Sequence, residues 1–174
     1  MMVGAYRLLT TLAGPLIRLY LARRLRHGKE DATRFGERLG RAAIARPDGK
    51  LAWLHAASVG ESLSLLPMIA AIKSRHPDWS LLVTTGTVTS AALMAERLPG
   101  GVIHQYVPVD RIAYVRRFLD HWRPDLALWA ESEFWPNLVT ETVARGVPMV
   151  LISGRLAAER ITGPDPTYRS RARR

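Results

Sequence analysis

Four short segments of this 174-residue chain gather the residue types that can carry chemistry. The first is His55-Ala56-Ala57-Ser58-Val59-Gly60-Glu61. Ser58 and Gly60 permit a tight loop, and Glu61 would stand at or beside a helix start. A carboxylate there has two uses. It can take a proton from a hydroxyl as a general base, or it can favour the first helical turn as a capping acid. Free backbone N–H groups at the same turn can hold an anion. The second segment, Thr84-Thr85-Gly86-Thr87-Val88-Thr89-Ser90, surrounds one glycine with hydroxyls, which suits a phosphate or a sugar and equally suits helix capping. The third, Trp129-Ala130-Glu131-Ser132-Glu133-Phe134-Trp135-Pro136-Asn137, puts Glu131, Glu133 and Asn137 among aromatics, as on a sugar-handling surface. Core or interface packing of the tryptophans is the alternative. The fourth is Ser153-Gly154-Arg155, where Arg155 can pair with a phosphate or with one of the carboxylates.

Each segment follows a short apolar run, and those runs explain how the groups could be positioned. Residues 51–55, 81–85, 102–107, 126–130 and 148–152 read as strands with little alternation, as strands buried on both faces do. Amphipathic stretches at 62–75, 87–98, 111–121 and 134–145 read as the helices that parallel crossovers require. Pro67 is expected in the early part of its helix, and Asp110 is expected to cap the helix that follows it. The pattern predicts an α/β fold, a doubly wound and mostly parallel sheet. Such sheets bind ligands at the carboxyl ends of their strands.

Several chemistries are excluded. The chain has no cysteine, so neither thiolate zinc nor a cysteine nucleophile is available. His27, His55, His76, His104 and His121 lack zinc-like spacing. His55 alone stands out, because it ends the first strand. No Walker motif, dinucleotide-binding glycine turn, nucleophile elbow or aromatic-basic nucleic-acid stripe is present.

The formal charge is +10 and sits at the two ends. Arg7, Arg18, Arg23, Arg24, Arg26 and Lys29 precede the first acid, and the tail after residue 155 is rich in arginine. The apolar run 3–22 is interrupted by Arg7 and Arg18, which makes it a poor spanning helix and a poor signal peptide. Pro15 is expected to kink or break it. It reads best as an interfacial helix on an anionic membrane, with Arg7 and Arg18 on one face reaching for headgroups. Packing on a domain surface and a short spanning helix are the alternatives. The organisation expected is a basic membrane-associating segment over 1–29, a lobe over 30–156 and a basic Pro/Arg-rich tail over 157–174.

In sequence order, RFGER (34–38), HAASVGE (55–61), the TT-x-T loop (84–87), YVPVD (106–110) and ESEFWPN (131–137) together resemble the amino-terminal half of the 3-deoxy-D-manno-octulosonic acid (Kdo) transferases. The resemblance covers roughly residues 3–156. It implies a Rossmann-like amino-terminal lobe of a two-lobed GT-B glycosyltransferase. It further implies transfer of Kdo from CMP-Kdo to lipid IVA, the lipid A precursor, in lipopolysaccharide biosynthesis at the cytoplasmic face of the bacterial inner membrane. Glu61 would be the catalytic base and Glu131 would stabilise the transition state. His55, Ser58, Gly60, Thr85, Thr87, Glu133, Asn137 and Arg155 are the candidate substrate-binding residues. No metal in the active site and no cofactor beyond the donor substrate is expected, and no nucleic-acid partner.

Three departures from the family pattern stand out. Ser132 replaces a Thr, Ser90 replaces the Gly closing the hydroxyl loop, and Ser153-Gly154-Arg155-Leu156-Ala157 replaces Asn-Ala-Arg-Leu-Ser. Family members run to about twice this length, so the donor-binding lobe is expected to be missing and transfer by this chain alone to be slight or nil. A non-enzymatic acceptor-lipid-binding remnant and another GT-B lobe with a different sugar are the rival readings.

Overall fold

The computed structural model describes residues 2–130 and 135–152. Five strands form one all-parallel sheet in the order β3-β2-β1-β4-β5. They are β1 (Leu51–Ala56), β2 (Ser80–Thr85), β3 (Ile103–Tyr106), β4 (Leu126–Ala130) and β5 (Met149–Ile152). The helices are α1 (Met2–Leu12), α2 (Gly14–Arg26), the single turn α3 (Phe35–Arg38), α4 (Val59–Arg75), α5 (Val88–Arg97), α6 (Ile112–Trp122) and α7 (Pro136–Ala144). The expected doubly wound, Rossmann-like architecture is therefore present. Its strand order reverses direction at β1 and β4, the place where such sheets open a crevice.

Strand alternation sends successive β1 side chains to opposite layers. Leu51 and Trp53 pack with Val115, Phe118, Leu119 and Trp122 of α6 and with Leu138 of α7. Ala52 and Leu54 pack with Leu65 and Ile69 of α4 and Met94 of α5. Each large apolar side chain sealed in these layers stabilises the fold by about 1.5–3 kcal/mol. The lack of alternation in the sequence follows from this double burial.

Helix α4 begins at Val59, three residues earlier than its apolar pattern indicates. Pro67 consequently lies in mid-helix rather than near its start. Its missing N–H leaves a carbonyl one turn earlier without its usual donor. That side of the helix faces water: Leu63 is exposed.

Pro15 does mark a break. Helix α1 ends at Leu12, and α2 starts at Gly14 with the proline in its first turn, where its missing N–H has no cost. Together the two helices form one kinked helical arm: the Ala13 N–H donates to the Leu9 carbonyl at 2.8 Å, the Ile17 N–H donates to the Ala13 carbonyl at 2.9 Å, and α1 packs against α6 and α7. The orientation of its arginines differs from the expectation. Arg7 donates to Thr140 Oγ1 at 3.1 Å and to Glu141 Oε1 at 2.9 Å, and Arg18 Nε approaches the Tyr114 hydroxyl at 3.4 Å. The cause is Glu141, a buried carboxylate that also pairs with Arg116 and Arg145. A buried charge is stable only when paired, and Arg7 serves that need. With Arg7 turned inward and Arg18 lying along Tyr114, Leu8, Leu9, Leu12, Leu16 and Leu19 are each more than 60% exposed on the other side. No helix among the described residues is long and apolar enough to cross a membrane.

Asp110 is a second difference. It does not cap α6, which directly follows it, but α7: its carboxylate accepts from the N–H groups of Asn137 (3.0 Å) and Leu138 (2.8 Å). The Tyr6 hydroxyl donates to the same carboxylate at 2.9 Å, tying α1 to the junction. Burial raises the Asp110 pKa above the ordinary carboxylate value, and the three hydrogen bonds oppose that rise.

Candidate functional site

A cavity of about 610 Å³ opens at the carboxyl ends of β1 and β2. Its floor includes His55, Ala57 and Ser58, and Gly86 and Thr87 close one side. Gly86 keeps that wall close, because a Cβ would stand a tight 3.2 Å from the carbonyl oxygen of Ala57. Val107, Pro108, Val109 and Asp110 form the next wall, and Trp135 stands at the mouth. The remaining wall comes from α2, through Ile17, Tyr20, Leu21 and Arg24, with Arg38 beside it.

Glu61 is set by local chemistry. Ser58 is the N-cap of α4, and its hydroxyl accepts from the Glu61 N–H at 3.3 Å. In return, Glu61 Oε2 accepts from the N–H of Ala57 at 2.6 Å and of Ser58 at 3.3 Å. This is a complete capping box. It fixes the carboxylate against two residues of the cavity floor, and Oε1 meets no hydrogen-bond donor among the described residues. The two uses weighed for Glu61 are thus compatible: one oxygen caps, and the other is open to a proton.

His55 is sealed under the floor at 1% exposure. Trp53 Nε1 donates to Thr84 Oγ1 at 2.8 Å, and the same hydroxyl lies 2.9 Å from His55 Nδ1. The Trp129 ring packs edge-on against the imidazole at 4.6 Å between centroids. His55 Nε2 has no protein partner. Burial pushes the His55 pKa down to about 4, and the nearby Arg38 charge acts in the same direction. The ring is therefore neutral at pH 7.

The other candidates separate into two groups. Ser58 and Thr87 line the cavity. Thr87 also caps α5, accepting from the Ser90 N–H at 3.1 Å. Gly60 lies on the exposed first turn of α4. Thr85 and Asn137 are buried away from the cavity. Thr85 Oγ1 meets His104 Nε2 at 2.9 Å. Asn137 Nδ2 donates to the Asp110 carbonyl at 2.8 Å and approaches Thr10 Oγ1 at 3.3 Å, joining α7 to α1. Glu131, Glu133 and Arg155 lie outside the described residues. The strand that leads to Glu131 is described: Ala130 is the register partner of Ala56 on adjacent parallel strands.

Residue-type reading missed Arg24, Arg38 and the α2 wall. Arg24 was absorbed into a basic run, and Arg38 served only as part of a motif. The signal that could have found them is Glu30, the first acid after that run.

The sheet order and the cavity at the strand ends define a Rossmann-like α/β lobe. The family model described as 3-Deoxy-D-manno-octulosonic-acid transferase (kdotransferase) matches residues 33–169, and the chain belongs to this family. It is 36% identical over 154 residues to a probable mitochondrial 3-deoxy-D-manno-octulosonic acid transferase of Arabidopsis thaliana, covering 88% of this chain and 34% of that protein. Against the 3-deoxy-D-manno-octulosonic acid transferase of Rickettsia bellii it is 35% identical over 156 residues, covering 90% of this chain and 37% of the relative. Against that of Haemophilus influenzae it is 32% identical over 133 residues, covering 76% and 30%. The chain thus spans about a third of the length of these relatives.

Proposed function

We propose that this chain forms the acceptor-side, amino-terminal lobe of a GT-B enzyme that transfers Kdo from CMP-Kdo to lipid IVA. The observation that carries this reading is Glu61: one carboxylate oxygen is fixed by the N–H groups of Ala57 and Ser58, two residues that line a cavity large enough for a sugar, and the other meets no donor among the described residues. In the reaction, Glu61 accepts the proton of an acceptor hydroxyl. The freed oxygen attacks the anomeric carbon of Kdo, the bond from that carbon to the phosphate oxygen breaks, and CMP leaves. Glu131, which follows Ala130 directly in sequence, stabilises charge developing on the sugar. Ser58 and Thr87 offer hydrogen bonds to acceptor hydroxyls, neutral His55 supports the floor from beneath, and Glu133 and Arg155 are further substrate-binding residues in this reading. The donor is held by a second lobe, so the 174 residues alone bind acceptor and transfer little or nothing.

The exposed leucine stripe on α1 and α2 supports attachment of this lobe to an anionic membrane surface, at the cytoplasmic face of the bacterial inner membrane. Arg23, Arg26 and Lys29 add electrostatic attraction to such a surface.

The decisive test uses a chimera in which the carboxyl-terminal part of the Rickettsia relative follows this lobe. With CMP-Kdo and lipid IVA, Glu61→Gln is expected to lower turnover by about 10²–10⁴-fold, the usual contribution of a positioned base. Gln can still accept the Ala57 N–H, so the fold is retained. Unchanged turnover would remove Glu61 from the mechanism. Turnover with another sugar nucleotide but not with CMP-Kdo would favour a different GT-B transferase.

A further inference from the structure

We propose that Arg24 and Arg38, bridged by buried Glu30, form a phosphoryl-binding subsite on the α2 wall of the cavity. The inference rests on the reading of this cavity as the acceptor site and names the ligand group that it selects.

Glu30 is sealed, with its side chain only 2% exposed. Its Oε1 accepts from Arg24 Nε at 2.6 Å, and its Oε2 lies 3.2 Å from Arg38 Nε. One carboxylate thus orients two guanidinium groups and balances one of their two charges. The remaining contacts hold each fork in place. Arg24 Nη2 donates to the Lys29 carbonyl at 3.2 Å, and Arg38 Nη1 donates to the Val107 carbonyl at 2.7 Å. Arg38 Nη2 meets no acceptor among the described residues, and the neutral Tyr20 hydroxyl is the further hydrogen-bond partner of Arg24, which leaves the second positive charge unbalanced. Both arginines line the cavity. Arginine stays protonated in proteins, so these are permanent donors beside an apolar space.

Asp110, the other acid on the lining among the described residues, does not answer them. The Asp110 carboxylate is taken up by Tyr6 and by the two N–H groups at the start of α7. A ligand anion is therefore the natural partner. A carboxylate presents two coplanar oxygens and matches one fork. Two separate forks call for an anion with three oxygens, which is a phosphate monoester. The neighbouring Ile17, Leu21, Val109 and Trp135 are apolar and suit an alkyl chain rather than a free ion. The group selected is a phosphoryl carried on an apolar body.

Binding of hexyl phosphate, hexanoate, hexyl glucoside and inorganic phosphate to the 174-residue chain, measured by calorimetry at 0.15 M salt, tests this. Hexyl phosphate is expected to bind at least tenfold more tightly than hexanoate or hexyl glucoside. Competition by inorganic phosphate at similar concentration would assign the site to free phosphate, and weak competition assigns it to a lipid phosphate; both keep the phosphoryl subsite. Arg24→Gln is expected to weaken hexyl phosphate binding about tenfold or more. Because Arg38→Gln also removes the bond to Val107, Arg38→Lys is the companion variant, and a loss of similar size is expected from it. Equal binding of the three hexyl compounds, no binding of any, or indifference of hexyl phosphate to Arg24→Gln would overturn the proposal. Ile17→Trp, which fills the apolar end, separates the two readings. If it abolishes hexyl glucoside binding while the arginine variants change nothing, the cavity is a ligand site without a phosphoryl subsite.

Discussion

Acid should unfold this protein through two histidines. His55 and His104 have folded-state pKa values of about 4, against 6.5 for an ordinary imidazole. Burial is the larger cause for both. The Arg38 charge adds to it at His55, and the Arg34 charge adds to it at His104. A folded pKa below the unfolded value means that the unfolded chain binds more protons between pH 4 and 6.5. Stability is then complete above about pH 6.5 and falls as pH drops through that window. Linkage arithmetic gives a loss of about 2 kcal/mol per histidine between pH 7 and pH 5. His55→Gln removes one titrating group, so the loss over the same range should shrink by about 2 kcal/mol, whatever the variant's stability at pH 7. Urea unfolding followed by tryptophan fluorescence measures it, since Trp53 and Trp129 pack beside His55. An unaltered pH slope in His55→Gln, or an imidazole that titrates near 6.5 by NMR, would refute the reasoning.

Two further outcomes follow from the geometry. Gly40 has φ +77° and lies directly against the Tyr114 carbonyl, so Gly40→Ala should lower stability by about 3 kcal/mol or more in thermal unfolding, combining left-handed strain with a backbone clash. A triple Leu8→Ser, Leu12→Ser, Leu16→Ser variant should lose flotation with anionic vesicles at least 100-fold while its unfolding midpoint stays nearly constant, because all three side chains are already in water. Equal flotation would defeat the membrane-surface reading. Substitution is the cleaner experiment, since deleting residues 1–29 would also strip a cavity wall and leave Glu141 short of a partner.

The sheet was legible in the sequence because its strands are buried on both faces, so runs such as Leu51–His55 and Leu126–Ala130 are continuously apolar. The capping box was legible as a local pattern, Ser58 three residues before Glu61. What could not be read are pairings across long separations. Arg7 finds Glu141 134 residues away, and an apolar helix with arginines looks the same whether they face lipid or protein. Asp110 stands next to α6 in sequence but caps α7, because the loop after β3 crosses to the helix that follows β4. The cavity wall from α2 was hidden for the same reason. Nothing within residues 14–26 reveals that Ile17 and Leu21 share a cavity with residues 107–110.

Helix α2 has two opposite duties. Leu16 and Leu19 point to the outside, while Ile17 and Leu21, on the same two turns, border the cavity. An α-helix is only about 10 Å across. Whatever grips the outer side therefore stands one helix thickness from the binding space, and a tilt of α2 changes both at once. An amphiphile held by its tails outside would have the cavity only one helix thickness away.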